Sequence, residues 1–125
     1  MVKCLLIDRN APDRSEMARL VKSLGFLCLE LSTAEEGVVS CQKQMPDLVL
    51  MDAANQLGTK EFLRLVSAQA PGHKAPIVML YSDRPNLEML AQSIIDGATD
   101  FLVKPLDREL LSFKFEQSGL MQRAA

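Results

Sequence analysis

The sequence predicts an α/β domain: a doubly wound parallel sheet of five strands with helices on both faces. Short apolar runs alternate five times with segments of helical period, the signature of consecutive βαβ units. The right-handed crossover of such units distributes the helices over both faces. Three runs also end on a charge. Cys4-Leu5-Leu6-Ile7 runs into Asp8, Leu48-Val49-Leu50-Met51 into Asp52, and Phe101-Leu102-Val103 into Lys104. Charges at the carboxyl ends of parallel strands describe a site, because open α/β sheets bind ligands there.

The first strand is expected over Val2–Ile7. Asn10 caps a helix from about Pro12, with proline in the first turn. Met17, Leu20, Val21 and Leu24 form its buried stripe, and Gly25 suits its end. Phe26–Leu31 reads as the second strand. Ser32-Thr33-Ala34-Glu35 has capping-box spacing, and Ala34, Val38, Cys41 and Met45 continue one helical face. Leu48–Met51 is the most continuously apolar strand and is expected at the centre of the sheet. A loop over Ala53–Gly58 leads to a helix over Thr59–Ala70. The connector from Pro71 to Pro76 is rich in turn residues and holds His73, read as a solvent-exposed loop histidine. Ile77–Tyr81 is the fourth strand. A helix over Asn86–Ile95 carries Leu87, Leu90, Ala91 and Ile94 on one side and stops at Gly97. Thr99–Val103 is the fifth strand, and Asp107 caps a last helix, Arg108–Gln117.

The composition narrows the class. A chain of 125 residues is one domain by default. With 48% apolar and 24% charged residues it can build an ordinary core. A net charge of −2 offers no basic footprint for nucleic acid. No apolar run approaches the ~20 residues that span a bilayer, so no membrane partner is expected. Met1-Val2-Lys3-Cys4 lacks the apolar core of a signal peptide, which points to a cytoplasmic protein. Cys4, Cys28 and Cys41 sit inside apolar patterns without metal-ligand spacing and read as reduced core thiols. The seven methionines fall mostly on core faces. Arg9, Arg14 and Arg19 are interleaved with acids and read as a solvated helix face rather than an anion patch.

Four stretches together resemble the receiver domain of bacterial two-component response regulators. They are Leu5-Leu6-Ile7-Asp8, Pro46 through Asp52, Pro76 through Leu80, and Asp96-Gly97-Ala98-Thr99-Asp100-Phe101-Leu102-Val103-Lys104-Pro105-Leu106. The resemblance spans essentially residues 1–125. It implies a flavodoxin-like sheet with strand order 2-1-3-4-5. It implies that Asp52 accepts a phosphoryl group from a phosphohistidine donor and that Lys104 pairs with Asp52 and that group. It implies that Asp8, Asp52 and the backbone carbonyl of Ala54 hold Mg²⁺, and that Lys104-Pro105 is a cis peptide, which X–Pro bonds alone adopt cheaply. The implied partners are a sensor histidine kinase or phosphotransfer protein and an output protein or output domain. The fourth helix, fifth strand and last helix form the surface for dimers or targets. Such a domain is no enzyme beyond assisting its own aspartyl phosphorylation and dephosphorylation.

The chemistry is self-consistent. A carboxylate forms an acyl phosphate when cations neutralise charge on the equatorial oxygens. A hard metal and a lysine are suitable cations.

Several positions depart from the family pattern. Arg9 stands where a second acid is expected, so Asp8 and Asp52 face Arg9 and Lys104, and the formal charge of the site moves from −2 to 0. Unit charges ~4 Å apart at an effective dielectric near 20 interact by about 4 kcal/mol. Mg²⁺ binding is therefore expected to be weak or absent, unless Arg9 turns to solvent or pairs with Asp13. Tyr81 stands where a switch threonine or serine is expected, with Ser82 next to it. Its phenol is expected over the pocket mouth or at the surface, leaving less room for the switch aromatic, Phe101. The loop Ala53–Gly58 lacks the family's Met-Pro and is shorter, which unsettles the Ala54 ligand. The competing expectation is a phosphorylation-independent pseudo-receiver, a protein-interaction domain with Asp52 held in ion pairs by Arg9 and Lys104. A flavin-binding protein of this topology would need a Ser/Thr-rich phosphate loop after the first strand, and none follows.

Overall fold

The computed structural model describes residues 1–69, 72 and 74–122. Five strands and five helices alternate: β1 (Lys3–Ile7), α1 (Ala11–Ser23), β2 (Leu27–Leu31), α2 (Ala34–Lys43), β3 (Leu48–Asp52), α3 (Thr59–Gln69), β4 (Ile77–Ser82), α4 (Leu87–Ile95), β5 (Asp100–Val103) and α5 (Arg108–Gln117). The strands form one parallel sheet in the order β2-β1-β3-β4-β5. Leu48 through Met51 are wholly buried, so β3 occupies the centre, where both faces are covered.

The helices start where short polar side chains can accept from free backbone N–H groups. Asn10 caps α1 through Asp13 N–H, Asn86 caps α4 through Met89 N–H, and Asp107 caps α5 through Leu110 N–H. The capping box of α2 is Thr33 with Glu36, one residue later than Ser32 with Glu35. Thr33 is the residue with extended backbone, so only its hydroxyl meets the N–H three residues on.

Side-chain alternation sorts the core into two clusters. On the α1/α5 face, Leu6, Leu50, Met79, Tyr81 and Leu102 pack against Met17, Val21, Leu111 and Phe115. On the other face, Ile7, Met51, Leu80 and Phe101 pack against Val38, Phe62 and Val66. Gly37, inside α2, permits the close approach of that helix. A Cβ there would lie 2.5 Å from Ile7 Cδ1 and 3.2 Å from Phe62 Cε2. Gly97, at φ +111°, takes a backbone conformation that an L side chain resists and ends α4.

The face of α4 differs from the expectation. Leu87 is 85% exposed, and Ala91 and Ile94 are exposed too. The helix packs instead through Met89, Leu90 and Ser93. Leu87, Ala91 and Ile94 do share one helix side, but α4 is rotated so that this side faces outward. With exposed Ile95, Val103 and Phe113, it leaves apolar side chains exposed on α4, β5 and α5. His73, Ala70 and Pro71 lie outside the described residues.

Candidate functional site

Register brings the charged strand ends together. Leu6 pairs with Leu50, Asp52 with Tyr81, and Tyr81 with Leu102. In-register residues of parallel strands point to the same face, and residues two apart share it. Asp8, Asp52, Tyr81 and Lys104 are therefore all directed to the α1/α5 side of the carboxyl edge. Ser82 is in register with Val103 and belongs to the opposite face. Its hydroxyl accepts from Arg84 N–H at 3.1 Å, so the strand end does not shift to bring Ser82 into the site.

Tyr81 is fully buried, and its hydroxyl donates to Asp8 Oδ2 at 2.7 Å. This corrects the expectation of a phenol at the pocket mouth or surface. The parity it shares with Asp52 sends the ring inward, and Asp8 offers the buried acceptor that a buried phenol needs. Burial first, then the hydrogen bond and charge of Asp8, raise the phenol far above its ordinary pKa, so it remains a donor. Nor does Tyr81 compete with Phe101 for space. The two rings lie in different core clusters, on opposite faces of the sheet.

Asp8 is 1% exposed and both its oxygens are engaged. Oδ1 accepts Asn10 N–H at 2.9 Å and Oδ2 accepts from Tyr81. Its backbone carbonyl accepts from the Arg14 guanidinium at 2.8 Å, while Arg14 also meets Glu30 at 3.6 Å. Arg19 bonds Glu16 on the surface of α1. The arginines of this region therefore serve local pairs rather than a shared patch, apart from Arg9. Arg9 is exposed and, among the described residues, has no side-chain hydrogen bond or ion pair.

Asp52 is half-buried. Its Oδ1 accepts Ala54 N–H at 3.1 Å, and Oδ2 has no hydrogen-bond donor among the described residues. Loss of hydration raises its pKa; the Ala54 N–H opposes this, Asp8 adds to it, Lys104 opposes it and Asp83 adds to it. The short loop that follows is braced by Asn55. Its side chain donates to the Asp52 carbonyl at 3.0 Å and accepts Gly58 N–H at 2.8 Å. Arg9, Asp8, Asp52, Ala54 and Asn55 line one cavity of about 150 Å³, together with Ser32 through Glu35.

Lys104 does not form the expected ion pair with Asp52 among the described residues. Its ammonium lies 3.4 Å from Asp13 Oδ2 and 5.0 Å from the centroid of the Tyr81 ring, and its ion-pair partner is Asp13 rather than Asp52. The cause is steric and electrostatic. The Tyr81 ring fills the floor beneath the lysine, and Asp13, in the first turn of α1, presents the nearer carboxylate. The Lys104–Pro105 peptide bond is cis. In the sequence Asp13 stands out only as a partner for Arg9, and nothing marks Asn55 or Asp83. The signal for Asp13 is an acid in the first turn of the helix that follows Asp8.

These donors do not fit Mg²⁺. The ion wants near-octahedral oxygen ligands with several waters retained. Here Asp8 is buried with both oxygens bonded, Asp52 has one oxygen bonded, and Arg9, a cation, lines the same cavity. Among the described residues no three His, Cys, Asp or Glu side chains come together as a metal site.

The family model for the response regulator receiver domain matches residues 4–116. Over 110 residues the chain is 29% identical to the CAI-1 autoinducer sensor kinase/phosphatase CqsS of Vibrio cholerae, covering 87% of this chain but 16% of that protein. It is 23% identical to Protein PilH of Pseudomonas aeruginosa, covering 89% of this chain and 92% of that one. The fold is similar to that of the chemotaxis protein CheY4 of Vibrio cholerae, with TM-score 0.80, 22% identity and coverage of 94% and 98%. It is also similar to the receiver domain of a sensor histidine kinase from Pseudomonas aeruginosa, with TM-score 0.78, 20% identity and coverage of 93% and 95%. That domain was crystallised with a magnesium ion coordinated in its active site cleft.

Proposed function

The chain belongs to the response regulator receiver domain family, and from that premise we propose that it is a phosphorelay signalling module whose acceptor is Asp52. The supporting observation is the state of the Asp52 carboxylate. It is half-buried and incompletely hydrated, its Oδ2 has no donor among the described residues, and Asp52 lines a cavity of about 150 Å³, large enough for a phosphoryl group. The donor is a phosphohistidine on a histidine kinase or phosphotransfer protein. The Asp52–phosphoryl bond forms as the P–N bond of the donor breaks, and the bonding pair leaves on the donor nitrogen. Mg²⁺ is weakened or absent in this module because of Arg9 and the engaged Asp8. The output is altered binding of a partner at the exposed apolar side chains of α4, β5 and α5, with Leu87, Ile95 and Phe113 as its most prominent members. The module catalyses nothing beyond its own phosphorylation and dephosphorylation. No described helix is long and apolar enough to cross a membrane.

A second reading is favoured by the Tyr81–Asp8 bond and the Lys104–Asp13 pair. In a constitutive interaction domain the site would remain in this arrangement and the same apolar surface would bind without phosphorylation. Incubation with phosphoramidate, followed by intact-mass measurement, separates the two. The leading reading expects a gain of one phosphoryl group that Asp52→Asn abolishes. An unmodified wild type would leave the constitutive reading standing.

A further inference from the structure

We propose that Arg9 is the cation of phosphoryl transfer in this chain, in place of a divalent metal, so that Asp52 is phosphorylated without Mg²⁺. The inference rests on the reading of Asp52 as acceptor and adds the identity of the charge that stabilises the reaction.

Three observations carry it. Arg9 and Asp52 line the same cavity of about 150 Å³. Among the described residues the Arg9 guanidinium has no hydrogen-bond or ion-pair partner, so its donors are uncommitted. The other two cationic candidates in reach are committed. Lys104 pairs with Asp13, and Arg14 is bonded to the Asp8 carbonyl and paired with Glu30. Glu35 lines the same cavity and forms no ion pair with Arg9 among the described residues.

The charge accounting agrees. A phosphoryl group entering between Asp8 and Asp52 adds negative charge where two carboxylates already lie. Asp8 is softened by the Tyr81 hydroxyl and Asn10 N–H. Arg9 supplies a full positive charge, with planar paired donors that match phosphoryl oxygens. In the transfer, Asp52 Oδ2 forms a bond to phosphorus as the P–N bond breaks. The electron pair leaves on the protonated donor nitrogen, which departs as neutral imidazole from phosphohistidine or as ammonia from phosphoramidate. Arg9 stabilises the equatorial oxygens throughout and gives up no proton, so no further reactant is needed.

The test follows phosphorylation by phosphoramidate in EDTA and in excess Mg²⁺, with magnesium binding measured separately by calorimetry. Wild type is expected to react equally fast in both buffers and to show no saturable Mg²⁺ binding. Arg9→Gln should slow the reaction about a hundredfold in both, the scale seen when one charge-stabilising donor is removed. Arg9→Lys should recover part of the loss, which a purely structural role would not do. Arg9 is exposed, so these variants keep the fold. If wild type reacts only with Mg²⁺, or Arg9→Gln matches wild type in EDTA, the role of Arg9 is overturned while Asp52 remains the acceptor. If wild type reacts in neither buffer, the acceptor reading falls and this one with it.

Discussion

Tyr81 and Asp8 are joined by a 2.7 Å hydrogen bond that passes from the end of β4 to the end of β1, across the strand that carries Asp52. The bond does two things. It satisfies a buried carboxylate that would otherwise lack a donor on Oδ2, and it fixes the ring on which Lys104 rests.

Replacing Tyr81 by phenylalanine keeps the ring but deletes the donor. The Asp8 carboxylate, 1% exposed, then lacks a partner on Oδ2. An unsatisfied buried polar group costs about 1–3 kcal/mol. Urea unfolding of Tyr81→Phe should show a loss of that size, and an unchanged midpoint would mean water reaches Asp8 freely.

Asp52 should make stability depend on pH. Its folded pKa is raised above the ordinary value of 3.8. The stability it contributes is therefore fully present below that value and is lost as pH rises through the folded pKa. Asp52→Asn removes this loss, so its Tm at pH 7 should exceed that of wild type. The gap should close below pH 3.8. A gap of constant size from neutral to acid pH would assign the effect to packing instead.

Asp13, not Asp52, is the ion-pair partner of Lys104 among the described residues. The carboxylate of this pair is 53% exposed, so breaking it should cost no more than about 0.5 kcal/mol. Its effect on chemistry should be larger. Asp13→Asn frees the ammonium to approach the phosphoryl group, and Asp52 phosphorylation should accelerate about tenfold. Parallel denaturation and phosphoramidate kinetics separate the two effects; a slower variant would show that Asp13 assists rather than restrains.

Gly37→Ala sets two effects against each other. Alanine in a helix interior gains about 1 kcal/mol over glycine. The new methyl, however, meets Ile7 and Phe62, both locked in the core, and overpacking costs about 1–3 kcal/mol. The clash should win, lowering the unfolding free energy by about 1 kcal/mol. A stabilised variant would show that Ile7 has a second rotamer within reach.

The fold was legible because its signals are local and repeated. Apolar runs, caps at Asn10 and Asp107, and the central position of β3 all follow from period and polarity. The inward course of Tyr81 was legible in principle, since it shares parity with Asp52, but size suggested the surface and parity prevailed. The Lys104–Asp13 pair was not legible. It joins residues from α1 and the end of β5, and only the three-dimensional path of α1 brings them together. The outward stripe of α4 misled for a different reason: apolar periodicity marks a face that avoids water, without saying whether this chain or another covers it.

The chain contains one tyrosine, Tyr81, and no tryptophan. Its tyrosine emission and the tyrosine part of its near-ultraviolet absorption therefore arise from a single ring that is bonded to Asp8 and lies 5.0 Å from the Lys104 ammonium. The protein carries its own optical label beside Asp8 and Lys104, and changes in the surroundings of that one phenol should be readable in unmodified material.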